Sequence, residues 1–453
     1  MPLVSNGDHD EVNSPVIKET RLEVDLNGNT GNTNDDANTF DNSTQKSAPS
    51  FQSGVKRFFF HGPMNLLLPL IPVALICWLT DVSHVATFVF SLLSIAPLAE
   101  RLGFATEQLA IHTSHTIGGL LNVTFGNATE LIVSVAALMK NYYRLVQLSL
   151  LGSILSNLLL VLGCAFWLGG ARHGTQQFRK LTGQLNSTML LLVVMGLMFP
   201  AVLNIAGEAD RHSTLVFSRV VSIVFIFIYG AYVYLELKSD GSIETHDSSD
   251  ELMTPSSRQT FSELEVNSPA IRGGSTTPPH PPSQTEQEGE EEEEEDLLGR
   301  PASLFCLAFV TILIAILSEA LVQTIEKATD SAHINTVFVS TIILPIIGNA
   351  SEHASAVVFG MKNKMELAVS IAVGSSTQIA VFVIPLLVII SWCTGKTLNL
   401  NFKPFETATV LLTVIMVSFA IQHGKSNWLV GLVLIAAYFL ISVGFYVHND
   451  EAL

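Results

Sequence analysis

Charged side chains are scarce in this chain. Asp, Glu, Lys and Arg make up 14% of its 453 residues, against about 25% in an ordinary soluble protein. With 48% hydrophobic residues and a mean hydropathy of +0.43, that deficit excludes a water-soluble domain as the bulk of the molecule. Cysteine is rarer still. Cys77, Cys164, Cys306 and Cys393 stand singly in or beside apolar runs. A disulfide framework or a thiolate metal site needs clustered spacing, so these read as small, lipid-compatible side chains. There is no Gly-x-x-x-x-Gly-Lys phosphate loop, which leaves nucleotide drive unsupported. There is also no His-Glu-x-x-His pair, which argues against a zinc hydrolase. The start lacks a positive stretch followed by a short apolar one, so no cleaved signal peptide is expected and the first membrane helix serves as the targeting element.

Negative charge is plentiful, but only in two places. The formal charge is −17. Residues 1–56 carry nine acids against four bases, and 238–300 carry sixteen against four; the remainder is neutral on balance. No basic groove is left for nucleic acid, which is not an expected partner. The lipid bilayer is.

Residues 1–55 are rich in Asn, Asp, Ser and Thr and read as a disordered cytosolic tail. Eleven apolar segments follow, each near the roughly 20 residues a bilayer core requires. They fall at about 64–80, 84–110, 117–139, 144–168, 183–205, 213–237, 302–328, 334–361, 365–393, 406–422 and 427–447. The expected fold is an all-α polytopic membrane protein of about 11 transmembrane helices. A peripheral first helix (56–82) precedes two five-helix repeats (83–237 and 301–448), joined by a cytosolic linker (238–300). Because five is odd, the second repeat inserts inverted. Lys and Arg in the short loops favour cytosolic placement of the N-terminus and linker, which leaves the C-terminus on the other side. The linker opens with a Ser/Thr/Pro-rich stretch, 240–285, presumed to be without order. It closes on an acidic tract: Glu290, Glu291, Glu292, Glu293, Glu294, Glu295 and Asp296. That tract reads as a solvated run or as a surface that concentrates cations.

The repeats are visible in detail. Gly126-Asn127-Ala128-Thr129-Glu130 returns as Gly348-Asn349-Ala350-Ser351-Glu352, 222 positions later. The same offset aligns Met139-Lys140-Asn141 with Met361-Lys362-Asn363, and Gly152-Ser153 with Gly374-Ser375. Upstream, Glu100 and Glu107 correspond to Glu319 and Glu326, each pair seven apart and on one helix face. An ionisable residue at membrane depth is expensive and marks a functional site by default. Here it occurs twice.

Two inward-facing glutamates balance one divalent cation. Hard Ca²⁺ takes about 6–8 oxygen ligands. Glu130, Glu352, the amides of Asn127 and Asn349, carbonyls freed near Gly126 and Gly348, and the side chains of Ser153, Ser375 and Gln378 offer oxygen alone. Such a set favours Ca²⁺, Mg²⁺ or Mn²⁺ over Zn²⁺ or Cu. A buried carboxylate pair without its cation resists double ionisation, so it would exchange the metal for protons. His353 breaks the symmetry of the repeat; it would relay a proton or tune Glu352, or simply pack. Glu100, Glu107, Glu319 and Glu326 would line the ion's approaches, or pair locally. Competing readings are an exchanger that prefers Mn²⁺ or couples to Na⁺, and a passive cation channel; an inverted duplication favours alternating access over a pore.

These motifs resemble the cation/proton exchangers of the Ca²⁺/cation antiporter superfamily, most of all their fungal vacuolar Ca²⁺/H⁺ members. Gly126–Glu130 with Leu131-Ile132-Val133, and Gly348–His353, match the two signature repeats. Leu98-Ala99-Glu100-Arg101-Leu102-Gly103, Gly118-Gly119-Leu120-Leu121-Asn122 and Gly374-Ser375-Ser376-Thr377-Gln378-Ile379 match the flanks. The resemblance implies vacuolar uptake of cytosolic Ca²⁺ against H⁺, with Glu130 and Glu352 alternating between ion and proton and no cofactor. It also implies an acidic helix at the linker tract, a vacuolar membrane location and a luminal C-terminus. Oligomeric state does not follow from it.

Overall fold

Backbone polar groups in a bilayer must bond within the chain, and the elements below are accordingly helical. The computed structural model describes residues 51–60, 63–207, 210–246 and 296–448. The acidic run Glu290–Glu295, linker residues 247–289 and residues 1–50 lie outside them. Among the described residues no strand forms, apart from one isolated bridge between Gln177 and Lys425.

In chain order the helices are α1 (Phe51–Phe60), α2 (Leu70–Thr80), α3 (His84–Ala110), α4 (His115–Phe125), α5 (Ala128–Met139), α6 (Tyr143–His173), α7 (Lys180–Ile205) and α8 (Arg211–His246). After the linker come α9 (Arg300–Ala332), α10 (Thr336–Gly348), α11 (Ala350–Met361), α12 (Met365–Cys393), α13 (Pro404–Ile421) and α14 (Trp428–Val447). Thus α3–α8 and α9–α14 follow one another in the same order. Their turns match too. Asn141 and Asn363, at equivalent positions after α5 and α11, both adopt left-handed backbone (φ 66° and 62°), a conformation Asn tolerates better than most residues.

The equivalent helices α3 and α9 pack against one another over much of their length, and they run antiparallel. At one end, Gln108 Oε1 accepts from the backbone N–H of Leu297 and Leu298, just before α9. At the other, Trp78, which precedes α3, donates to Gln323 late in α9. Antiparallel equivalents are what an inverted duplication requires. The first of these ends is called the linker face below, and the second the far face.

Several expected boundaries move. The segment 117–139 was expected as one span but is two helices, because the chain breaks at Gly126-Asn127. Among the described residues eight helices are long and apolar enough to cross a membrane, or up to ten if each bent pair is one span. The expected eleven is therefore not reached by this measure, with α5 too short to count alone. Helix starts at Phe51, inside the expected 1–55 tail, where Phe51, Phe58 and Phe59 find aromatic partners in Phe305, Phe104 and Phe309. The expected first helix, 56–82, is α1 and α2, interrupted between them. On the other side, α8 runs on to His246, past the expected linker start at 238, because helical hydrogen bonds do not need an apolar face to continue into water.

Membrane helices associate where small residues let backbones approach. Gly152 of α6 lies against α10: a Cβ there would collide with the Thr341 carbonyl and come within 2.7 Å of Pro345 Cγ. Its repeat mate Gly374 meets nothing within 4 Å. Gly152→Ala should therefore cost about 1–3 kcal/mol through overpacking and lower the melting temperature of the detergent-purified protein. Gly374→Ala should leave melting unchanged or raised, since Ala favours helix by up to about 1 kcal/mol. Equal effects of the two substitutions would contradict this packing.

Candidate functional site

The site is built on two helix breaks. Asn127 (φ −115°, ψ 25°) ends one half-helix and precedes α5; Asn349 (φ −101°, ψ 23°) does the same for α11. The near-identical geometry is the motif's duplication seen in the backbone. The α10–α11 pair is bent by 58°. Each break places a glutamate, Glu130 or Glu352, in the first turn of the following helix. Each also leaves the last carbonyls of the preceding half-helix without helical partners. π-helical turns, which open backbone carbonyls and often mark functional sites, lie beside the breaks: Ser156–Val161 in α6, Val339–Ile343 in α10, and Ser370–Gly374 and Ile379–Val383 in α12.

The two halves of the site differ. Glu352 faces a cavity of 480 Å³ that runs along α3 and is also lined by Glu100, Glu107, Gly126, Asn127, Ser375 and Gln378. Glu130 faces a pocket of about 30 Å³ with Ser153, Gly348 and Asn349, room for one or two water-sized guests. The two glutamates are near enough for their charges to act on each other. Thr129 borders both spaces.

Hydrogen bonds knit the open half across the repeats. Asn127 donates through Nδ2 to Gln378 Oε1 (2.6 Å) and accepts from Ser375 Oγ (3.0 Å). Asn157 donates to Ser375 Oγ (3.2 Å), and Ser351 Oγ donates to Glu352 Oε2 (2.9 Å). The other half holds an opposite case. Asn349 is 1% exposed and both its amide atoms lack a partner, so a buried oxygen points at no protein donor. Asn157 was missed in the sequence. Its repeat mate is Ile379, so symmetry hid it, although a lone Asn in an apolar helix was a signal.

The other expected residues are placed as follows. His353 is partly buried with Nε2 unpartnered and lines neither space. Glu100 pairs with Arg101 (3.3 Å). Arg101 is itself buried, donates to the Phe58 carbonyl (2.8 Å) and lies against the Phe58 and Phe104 rings. Glu319 pairs with Lys140 (2.8 Å) and accepts from Gln323 (2.6 Å). That carboxylate, by hydrogen bond first and charge second, raises the Lys140 ammonium above its usual range. Glu326 lies against Tyr142, whose phenol is raised by burial first and by that neighbour second. Asp296, the last residue of the acidic tract, lies 3.2 Å from His112 and accepts from the Gly299 N–H. Among the described residues no group of three or more His, Cys, Asp or Glu gathers as a metal cluster.

The model of the sodium/calcium exchanger protein family matches residues 83–238 and 302–447. The chain belongs to that family. Within it, the chain belongs with the cation/proton exchangers. It is 43% identical over 410 residues to vacuolar cation/proton exchanger 3 of Oryza sativa subsp. japonica, covering 90% of this chain and 91% of the relative. It is 41% identical to vacuolar cation/proton exchanger 2 of Arabidopsis thaliana, covering 88% and 85%. Among solved structures it resembles native YfkE, with a TM-score of 0.67, 31% identity, and 85% of this chain and 100% of that one covered. A selenium-substituted form, described as a Ca²⁺/H⁺ antiporter protein, gives a TM-score of 0.65 at 32% identity, covering 86% and 100%. These likenesses give no support for special closeness to fungal members. The family match covers both helix breaks and stops short of the linker between 238 and 302.

Asn127→Ala would strand Gln378 and Ser375 and should cost about 1–3 kcal/mol, read as a lower melting temperature without Ca²⁺. Asn349→Ala removes an amide that bonds nothing, and should leave that melting temperature unchanged or slightly raised.

Proposed function

We propose that this exchanger moves cytosolic Ca²⁺ into the vacuole in return for luminal protons, by alternating access at a site made from Glu130 and Glu352. The observation that carries the reading is the pairing of two glutamates at matched helix breaks, one on a cavity of 480 Å³ and one in a pocket of about 30 Å³. Supporting it are the names of the relatives and the Ca²⁺/H⁺ antiporter described among the similar structures.

The chemistry follows from the donors. Ca²⁺ entering past Glu100 and Glu107 would meet Glu352, Ser375, Gln378 and the Asn127 amide oxygen. On the other side it would gain Glu130, Ser153 and the unpartnered Asn349 oxygen, with carbonyls near Gly126 and Gly348. No sulfur or imidazole cluster competes among these groups, and an all-oxygen set suits a hard cation. Without the metal, two carboxylates close enough to repel each other in low dielectric would be neutralised by protons instead. Metal and proton thus share one site, and the molecule is a secondary active transporter needing neither nucleotide nor resident cofactor. His353 stands beside Glu352 to tune that proton. The linker face, with the N-terminus and the acidic tract, is the cytosolic face, and the C-terminus is luminal.

The deciding experiment is ⁴⁵Ca²⁺ uptake by proteoliposomes with an acidic interior, with and without a protonophore. Uptake should collapse with the proton gradient and be indifferent to Na⁺. Glu130→Gln and Glu352→Gln should each reduce gradient-driven uptake to background while the protein still melts cooperatively. Normal accumulation by either variant would refute the two-carboxylate site. Current without coupling would point to a channel.

A further inference from the structure

The repeats are equal in sequence at their four pathway glutamates but unequal in what those glutamates touch. On the far face, Glu319 of α9 is ion-paired with Lys140 at the end of α5 (2.8 Å), and α9 packs closely along α5. On the linker face, the equivalent helices α3 and α11 meet only sparsely, and the 480 Å³ cavity lies where they part. The residue equivalent to Glu319 is Glu100, and the one equivalent to Lys140 is Lys362. In this structure Lys362 is exposed and forms no ion pair among the described residues. Glu100 holds its neighbour Arg101 through one oxygen, while the other, Oε2, is buried without a partner. One member of the second pair is thus idle and the other half-used.

We propose that Lys140–Glu319 and Lys362–Glu100 are the two halves of a reciprocal latch. The first holds the far face shut while the linker face is open; the second forms in its place when α11 closes on α3. The proposal rests on the alternating access described above and adds the residues that hold each end state. The logic is that of the inverted repeat: exchanging the conformations of the two halves carries each contact of one half onto its equivalent in the other. Because an ammonium and a carboxylate attract over a longer reach than packed side chains, each pair also draws its helices together before they touch. Arg101 has no counterpart, since Ala320 stands in its place. Glu100 must therefore share its charge between Arg101 and Lys362, which makes the linker-face latch the weaker and suits the open linker face seen here.

The test is cross-linking in the full-length chain with its four native cysteines replaced. One version carries Lys140→Cys with Glu319→Cys, the other Glu100→Cys with Lys362→Cys, each treated with a short, cleavable bifunctional thiol reagent in proteoliposomes. Both pairs should cross-link, each cross-link should lower ⁴⁵Ca²⁺ uptake below that of the same version left untreated, and cleavage should reverse that loss. Charge is then read at the opposite face. Lys140→Ala placed in the Glu100/Lys362 version should raise its cross-linking about two- to fivefold, the range an exposed ion pair commands. Glu319→Gln should do the same by removing the other partner. A merely structural Lys140 would leave that yield unmoved. Failure of the Glu100/Lys362 pair to cross-link in protein that melts cooperatively, or no response to either far-face variant, would overturn the latch. Reciprocal cross-linking in a protein whose uptake ignores the proton gradient would sustain the latch and refute the antiport reading.

Discussion

Two carboxylates held near each other at bilayer depth are the constraint on which the structure depends. Each ionised group removed from water costs several kcal/mol even after the surroundings relax. Among the described residues neither Glu130 nor Glu352 has a lysine or arginine to offset it. The helix breaks at Asn127 and Asn349 answer this locally. Each puts its glutamate in a first turn, where unpaired N–H groups and the helix dipole favour negative charge. Each also ends a half-helix, whose C-terminal dipole favours a cation. The same break thus tolerates the carboxylate and prepares the site for its counter-ion.

Symmetry then separates composition from conformation. Glu100 and Glu319 are equivalent, as are Glu107 and Glu326, Asn127 and Asn349, and Gly152 and Gly374. In every pair the residue is the same and the surroundings are not. Asn127 is bonded through both side-chain amide atoms while the Asn349 side chain bonds nothing; Gly152 is jammed against a carbonyl while Gly374 has open space. Some of these differences trace to unequal neighbours, Arg101 against Ala320 and Asn157 against Ile379; the rest describe the state the molecule is in. That state is open along α3 and closed along α5.

Much of this was legible in the chain. The doubled motif, the offset of 222 and the low share of charged residues disclosed a duplicated membrane unit and its two glutamates. They also pointed to Ser153, Ser375 and Gln378 as neighbours, all three of which line the site. What stayed hidden has a physical cause in each case. Hydropathy reports lipid compatibility rather than hydrogen bonding, so 117–139 looked like one span although Gly126 ends a helix there. Asn157 stands opposite an isoleucine in the repeat, so the duplication does not disclose it. Lys140 and Lys362 were weighed only as loop charges that set orientation, because a partner 179 positions away, as Glu319 is from Lys140, leaves no local trace.

The same energetics bear on why the proposed exchange would be coupled rather than leaky. For the site to change sides empty and ionised, both carboxylates would have to cross the occluded state bare, each at a cost of several kcal/mol. At about 1.4 kcal/mol per factor of ten, that suppresses the empty transit by orders of magnitude. Filling the site with one divalent cation, or with protons, removes most of the penalty. Neutralisation of the carboxylate pair thus becomes the condition for movement. A lysine placed beside Glu130 or Glu352 would meet half of that condition permanently, and would thereby loosen the tie between the helices and their cargo. The lysines are instead at the helix ends, where they hold a face closed without neutralising the site.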